Sequence, residues 1–125
     1  MRGHANAACW FEIYVKDMPR AKAFYEGVLS TELTRLEAPG LEMWTFGGDP
    51  EKPGCGGVLV HLDGVPCGGS GTLVYFSCED CAVEESRVAA HGGSIHRSKM
   101  AIGPFGFITL ALDTEGNLIG FHSLK

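Results

Sequence analysis

The residue best placed to do chemistry is Glu12, which lies between Trp10 and Tyr14 in the strongly β-favouring run 9–15. Successive residues of a strand point to opposite faces, so these three side chains share one face, opposite an apolar one. A carboxylate beside an aromatic wall can act as a general base. A strand glutamate can equally serve only to hydrogen-bond within the sheet.

Two histidines lie on later predicted strands and could bind a metal or transfer a proton. His122 alternates with Leu118 and Gly120, so the three share a face. His61 ends another strand, and its facing depends on whether the glycine pair 56–57 forms a bulge. No chemical role is assigned to the remaining histidines, His4, His91 and His96.

Cys78 and Cys81 form a Cys-x-x-Cys at a predicted junction between a strand and a helix. A helix N-terminus can lower the pKa of a thiol, but the intervening Glu79 and Asp80 disfavour a thiolate. The chain has five cysteines at irregular spacings, which argues against a disulfide framework. Free thiols without redox or zinc chemistry are therefore expected.

Composition excludes several classes of partner. The chain has 125 residues, of which 45% are hydrophobic, and a net charge of -5. That size and composition are typical of a folded domain, and the acidic balance argues against nucleic acid and anionic membranes. No apolar run is long enough to span a bilayer, and residues 1–8 do not resemble a secretion signal. A cytoplasmic location is expected.

The elements that position these residues repeat along the chain. Capping residues Asp17 and Asp80 each follow a strand and precede a helix with an apolar stripe. Three short strands follow each helix, separated by Gly, Pro and Asn turns. The sequence therefore predicts one domain over 1–125, with β-α-β-β-β modules at 9–62 and 72–125 and a glycine-rich linker at 63–71.

Three segments resemble the glyoxalase/bleomycin resistance protein/dioxygenase family, also called the vicinal oxygen chelate superfamily. Residues 11–17 with 20–25 are similar to that family's opening strand and helix. Residues 113–117, Asp-Thr-Glu-Gly-Asn, resemble its closing turn, with Thr114 in place of a proline. Residues 103–107 resemble a stretch found before that turn in one uncharacterised branch.

The resemblance implies an α+β fold in which two βαβββ modules form a curved eight-stranded mixed sheet with helices on the outer face. Catalytic relatives hold a divalent metal inside the cupped sheet through His and Glu side chains. The metal then acts as a Lewis acid toward substrate oxygens. Relatives include lyases, isomerases, dioxygenases and non-catalytic binding proteins, so the fold does not choose the activity.

Carrying the family's ligand positions over gives residues that cannot bind a metal. The first-strand ligand lies seven positions before the capping Asp, which gives Trp10 and Leu73 in the two modules. The closing-strand Glu lies four positions after the turn glycine, which gives Gly120. None of the three offers a side-chain oxygen or imidazole. The resemblance thus implies that the usual metal site is absent, provided that no bulge shifts the register.

Three interpretations of the cleft remain open. Glu12 could be a general base, with His122 as a second catalytic candidate. A displaced metal could instead be bound by Glu12, His122 and His61. Alternatively, Glu12 and His122 are structural strand residues. In each case the expected ligand contacts are aromatic: Trp10, Tyr14, Tyr75, Phe105 and Phe107.

The function expected from the sequence is binding of a small organic molecule in the cleft, without a metal or other cofactor. The alternative is a divalent-metal-dependent lyase, isomerase or dioxygenase of the glyoxalase type that uses the shifted ligand set. Whether the chain is an enzyme stays open. The resemblance also implies a homodimer, because relatives often complete their clefts across a two-fold axis.

Overall fold

A computed structural model describes residues 6–49 and 51–125, so His4 lies outside it. Each half has the predicted β-α-β-β-β order. The first module comprises β1 (Trp10–Tyr14), α1 (Met18–Leu29), β2 (Thr34–Leu36), β3 (Glu42–Thr45) and β4 (Gly56–His61). The second comprises β5 (Gly69–Ser77), α2 (Cys81–Val88), β6 (Ser94–Ala101), β7 (Phe107–Leu112) and β8 (Asn117–Ser123), with 3-10 turns at Ala89–His91 and Gly103–Phe105.

The eight strands form two four-stranded mixed sheets instead of one continuous sheet. The strand order is β1-β4-β3-β2 in the first sheet and β5-β8-β7-β6 in the second. In each, the first and last strands of the module pair in parallel and the other pairs are antiparallel. In the described part of the chain no ladder joins the sheets. A side-chain bond from Asn117 Nδ2 to the Tyr14 carbonyl, at 3.1 Å, bridges them.

The predicted linker 63–71 is partly strand. β5 begins at Gly69, which pairs with Asn117, and its register shifts before Val74. Gly68 precedes it with a φ of +93°, which favours glycine, and its N–H donates to Asn117 Oδ1 at 2.7 Å. The glycines thus let this segment approach the closing turn.

One hydrophobic core contains side chains from both modules. The helices begin at the predicted caps, where Asp17 accepts from the Arg20 N–H and Asp80 from the Ala82 N–H. Helix α1 buries its apolar stripe against the sheets. The largest fully buried side chains come from α1, β4 and β8 and include Tyr25, Phe24, Phe121, Leu59 and Ile119. None of the helices in the described residues combines the length and apolar character that a bilayer-spanning helix requires.

The closing turn 113–117 joins the modules through Glu115, whose side chain is fully buried. Its Oε1 accepts the main-chain N–H groups of Lys16 and Asp17, each at 2.8 Å, where β1 leads into α1. The Arg20 guanidinium donates to both oxygens, at 2.7 and 3.1 Å, and Thr114 adds a further bond. Burial by itself raises the pKa of Glu115, but the bonds from Arg20, Asp17 and the other donors outweigh it and lower the pKa to about 2.

Asp113 stabilises the same turn from inside. It accepts the N–H groups of Glu115 and Asn117, each at 2.8 Å, and the Asn117 side-chain amide at 3.0 Å. The buried Tyr25 hydroxyl of α1 donates to it at 2.6 Å. The turn that resembles the family's motif is therefore a structural clamp across the two modules.

Glycines in each sheet accommodate aromatic rings from the neighbouring strand. Gly57 of β4 pairs with Phe11, and a Cβ there would lie 2.5 Å from three atoms of the Phe11 ring. That ring is held by Phe46 and Phe76, with centroids 5.7 and 5.9 Å away. The glycine therefore cannot acquire a side chain without moving a packed aromatic cluster.

We expect Gly57→Ala to destabilise the fold by roughly 1–3 kcal/mol, because the added methyl group overpacks against Phe11. Gly56→Ala is the matched control, since a Cβ there would have only ordinary contacts, at 3.4 Å and beyond. It should change stability by less than about 0.5 kcal/mol. Urea unfolding of both variants measures the difference, and equal effects would contradict the packing argument.

We expect Glu115→Gln to lose roughly 2 kcal/mol at neutral pH, because a charge-assisted network is removed. The folded pKa of about 2 lies below the ordinary 4.5, so this contribution is present above pH 4.5 and is lost as the pH falls toward 2. The stability gap between wild type and variant should therefore shrink on acidification, measured by urea unfolding at neutral pH and near pH 3. Exposed Glu79→Gln is the control and should show a small gap at both. A Glu115 gap that does not change with pH would contradict the ionised network.

Candidate functional site

The open face of β1 carries a carboxylate bonded by two aromatic residues. The Trp10 indole N–H donates to Oε2 of Glu12 at 3.3 Å, and the Tyr14 hydroxyl donates to Oε1 at 3.0 Å. The alternate residues Phe11 and Ile13 pack into the core, so these three side chains point away from the helices. We call Trp10, Glu12 and Tyr14 the β1 trio.

The trio fixes the carboxylate in one orientation. The hydrogen bond to Glu12 and its negative charge raise the pKa of the Tyr14 phenol above its ordinary value. Tyr14 is therefore a hydroxyl donor at neutral pH. Trp10 is 45% exposed, so one side of the trio faces solvent.

A cleft of about 230 Å³ lies in the gap between the two sheets, next to the trio. We call it the seam cleft. Its walls come from β1, the connection before β5, β5 itself and the start of β8. They are formed by Glu12, Ile13, Tyr14, Pro66, Cys67, Gly68, Gly69, Gly71, Thr72, Val74, Asn117, Leu118 and Ile119. Of these lining residues, the predicted site residues include only Glu12 and Tyr14, and the prediction missed Asn117 and the 66–69 connection. The other predicted aromatic contacts, Trp10, Tyr75, Phe105 and Phe107, do not line this cleft.

The sequence does contain a signal for the missed residues, but it lies in two segments that are far apart in the chain. Asn117 closes the family-like turn, and residues 66–71 are the most glycine-rich stretch of the predicted linker. Bringing these two segments together requires the long-range pairing of Gly69 with Asn117. That pairing joins residues far apart in the chain, so neither segment alone indicates it.

The second sheet presents a matching open face. Phe76 packs into the core, so Leu73 and Tyr75 point the other way, and Gly120 lies beside Tyr75 on β8. The Tyr75 ring covers Gly120 so closely that a Cβ at this glycine would collide with it. Tyr75 is nevertheless 45% exposed and offers an aromatic surface on this face.

His122 is also on the open face of the second sheet, as predicted. Its Nε2 lies 2.6 Å from the carbonyl oxygen of Phe105, which makes it the donor of that bond. Its ladder partners are Ser77 and Ile108. The hydrogen bonds of His122 and of Glu12 therefore involve separate partners in separate sheets.

His61 lies on the opposite face from Glu12. Glu12 pairs with Val58, and His61 is three residues further along β4, so strand alternation turns it toward the helix side. Its Nδ1 lies 2.9 Å from the Val15 carbonyl, a bond that raises the pKa of His61. There it lines a depression of about 430 Å³, larger than the seam cleft but open and highly charged, together with Lys16, Asp17, Met18, Pro19, Arg20 and Glu42.

The residues present do not fit the divalent metal that the family implies. Trp10, Leu73 and Gly120 occupy the family's ligand positions on the open faces, and none has a side-chain ligand atom. The displaced set is not assembled, because Glu12 and His61 are on opposite faces. Within residues 6–49 and 51–125, no group of three or more His, Cys, Asp or Glu side chains could hold a metal.

The two phenylalanines predicted at the cleft rim lie in different environments. Phe105 is 69% exposed in the turn before β7. Phe107 instead packs against the core, with the Lys99 ammonium 4.7 Å above its ring. Its placement at the rim was wrong because Phe107 pairs with the buried Ser123, which puts it on the helix-covered face.

The Cys-x-x-Cys segment provides no reactive thiol. Cys81 is buried, and burial together with nearby Glu84 raises the pKa of Cys78 to about 12. A thiol with such a pKa is a weak nucleophile and metal ligand at neutral pH. This environment disfavours a thiolate at Cys78, and the absence of redox or zinc chemistry at the pair stays a prediction.

We expect Glu12→Gln to lower the pKa of Tyr14 toward its ordinary value, because both the charge and the strong acceptor are removed. Ultraviolet titration measures phenol ionisation, and Tyr14→Phe assigns the signal among the three tyrosines. Exposed Glu32→Gln is the control and should leave the titration unchanged. A Tyr14 pKa that stays raised in Glu12→Gln would contradict the trio.

Comparisons with solved structures agree with this fold. A point mutant of glyoxalase I from Zea mays matches with a TM-score of 0.71 and 20% identity, over 93% of this chain and 46% of the other. The chain thus spans about half the length of that enzyme. TnmS3, an antibiotic binding protein from Streptomyces sp. CB03234, matches with a TM-score of 0.69 and 22% identity, over 96% and 98%. A glyoxalase/bleomycin resistance protein from Albidiferax ferrireducens T118 matches with a TM-score of 0.66 and 17% identity, over 91% and 96%.

These identities are low, so the likeness shows the fold alone. No curated protein sequence matches the chain significantly. The family model described as Glyoxalase/Bleomycin resistance protein/Dioxygenase superfamily matches residues 7–121, nearly the whole chain. On that match, and with the two βαβββ modules in place, the chain belongs to this superfamily.

Proposed function

We propose that this protein binds a small organic molecule in the seam cleft without the divalent metal of its catalytic relatives. The observation that carries the proposal is the lining of the cleft. Small and apolar residues line the cleft together with one aromatic residue, Tyr14, the polar Thr72 and Asn117, and one oriented carboxylate, Glu12. Ligand sites of this kind are mostly apolar with a few well-placed polar groups.

The trio supports binding more directly than catalysis. Both oxygens of Glu12 already accept bonds from Trp10 and Tyr14, so the carboxylate is held in place on the cleft wall. Catalysis by a general base also commonly uses a second residue that orients the base or transfers the other proton. His122, the other catalytic candidate, is bonded to the Phe105 carbonyl instead.

One structural relative is consistent with a binding role. TnmS3 is described as an antibiotic binding protein, and its fold covers almost all of this chain. For this chain we propose the same class of activity, binding of an organic molecule.

We also propose a homodimer in the cytoplasm. Trp10 and Tyr75 are each 45% exposed on the open faces, which a second copy could cover. The five cysteines are free thiols, as expected in a reducing compartment.

The test has two parts, both on wild-type protein purified without chelator. Elemental analysis should find much less than one Zn, Ni, Mn or Fe per chain. Benzyl alcohol, a small neutral aromatic probe, should then shift the amide NMR signals of residues 12–14, 66–69 and 117–119. Chelator should leave these shifts unchanged.

One tightly held metal per chain would reject the metal-free proposal. It would favour the alternative, a metal-dependent lyase, isomerase or dioxygenase with a shifted ligand set. Probe shifts confined to the depression beside His61 would reject the seam cleft as the site.

A further inference from the structure

We propose that the seam cleft selects organic cations, in particular a protonated amine on a small aromatic or apolar body. This inference rests on the proposed binding function and adds the class of ligand. It follows from the charge of the cleft, from the aromatic residues bonded to Glu12, and from a lysine that lies over a similarly bonded tryptophan elsewhere in the molecule.

The cleft carries one charge, and that charge is negative. Of the thirteen lining residues, Glu12 is the only one that is charged at neutral pH. In the described part of the chain, no Lys, Arg or His side chain forms an ion pair with it. A carboxylate without a counterion beside an apolar wall favours a cationic ligand group over a neutral or anionic one.

The basic side chains that follow Glu12 most closely in the sequence do not line the seam cleft. Lys16 and Arg20 line the depression on the helix side, together with His61. Arg20 is also bonded to both oxygens of Glu115. Within residues 6–49 and 51–125, no basic side chain therefore neutralises the charge of Glu12.

The first sheet contains a second glutamate and tryptophan that are hydrogen-bonded two residues apart, and there a cation lies over the tryptophan ring. The Trp44 indole N–H donates to Oε2 of Glu42 at 2.9 Å, two residues apart as in Trp10 and Glu12. The Lys22 ammonium lies over the Trp44 ring, 4.2 Å from its centroid. The same ammonium pairs with Glu26 at 3.7 Å, not with Glu42, so this example shows a cation on the face of an indole that is bonded to a carboxylate.

The β1 trio has the same donor and acceptor and a second aromatic residue, but no lysine of its own. Trp10 and Tyr14 both bind the Glu12 carboxylate edge-on through their polar atoms, and Trp10 keeps nearly half of its surface exposed. A ligand ammonium beside Glu12 can therefore contact the carboxylate and an aromatic face together. The cleft volume of about 230 Å³ limits the ligand to a small body.

Three probes of matched size test this selection: benzylammonium, benzyl alcohol and benzoate. Each is titrated at neutral pH into uniformly labelled wild-type protein, and dissociation constants come from the shifts of the seam-cleft amides and the Trp10 indole N–H. We expect benzylammonium to bind about fivefold more tightly than benzyl alcohol, and benzoate to bind least.

Two variants test whether the preference for the cationic probe depends on Glu12. Glu12→Gln keeps the shape of the side chain and should bring the affinity ratio of benzylammonium to benzyl alcohol to about one. Glu32→Gln removes the same charge from the exposed loop before β2 and should keep the wild-type ratio. Unchanged amide signals outside the cleft verify that each variant is folded.

The outcomes separate this inference from the proposed function. If benzyl alcohol binds in the cleft and benzylammonium binds no more tightly, cation selection is wrong and the binding function stands. A preference that survives in Glu12→Gln also overturns the inference, because net protein charge would then explain it. If none of the three probes shifts the cleft signals, both proposals fail.

Discussion

The two halves of this molecule depend on one buried carboxylate. Glu115, in the closing turn of the second module, accepts hydrogen bonds from the main chain where β1 leads into α1 and from the Arg20 guanidinium. Its neighbour Asn117 bonds the Tyr14 carbonyl and the Gly68 N–H. Because no backbone ladder joins the sheets in the described residues, these polar contacts, together with the shared core, set the width of the gap between them. The seam cleft occupies that gap, so the clamp also determines the shape of the site.

Local rules predicted the elements of the fold well. Strand alternation placed Glu12 with Trp10 and Tyr14, and capping chemistry located both helix starts, because each depends on residues close in sequence. The family model and the two βαβββ modules confirm the predicted superfamily and fold class. The division into two sheets was not predictable in this way, since it depends on which edges meet across the molecule.

The same limit applies to the site. Strand register decides which face a residue takes, and register is set by partners far away in the chain. Phe107 faces the core because it pairs with Ser123, and the facing of His61 follows from the pairing of Glu12 with Val58. Trp10, Leu73 and Gly120 lack metal-binding atoms whichever face of the sheet they occupy, because their side chains are an indole, an isobutyl group and a hydrogen. This property is therefore predictable from residue identity without the register.

The close contact between Tyr75 and Gly120 bears on how this chain is related to metal-binding members of its superfamily. The phenol ring fills the space above position 120, where such members carry a carboxylate, so any side chain introduced there meets the ring first. A side chain at position 120 therefore requires the Tyr75 ring to move or to be replaced by a smaller residue. Positions 75 and 120 are thus coupled, and the effect of a substitution at one depends on the residue at the other.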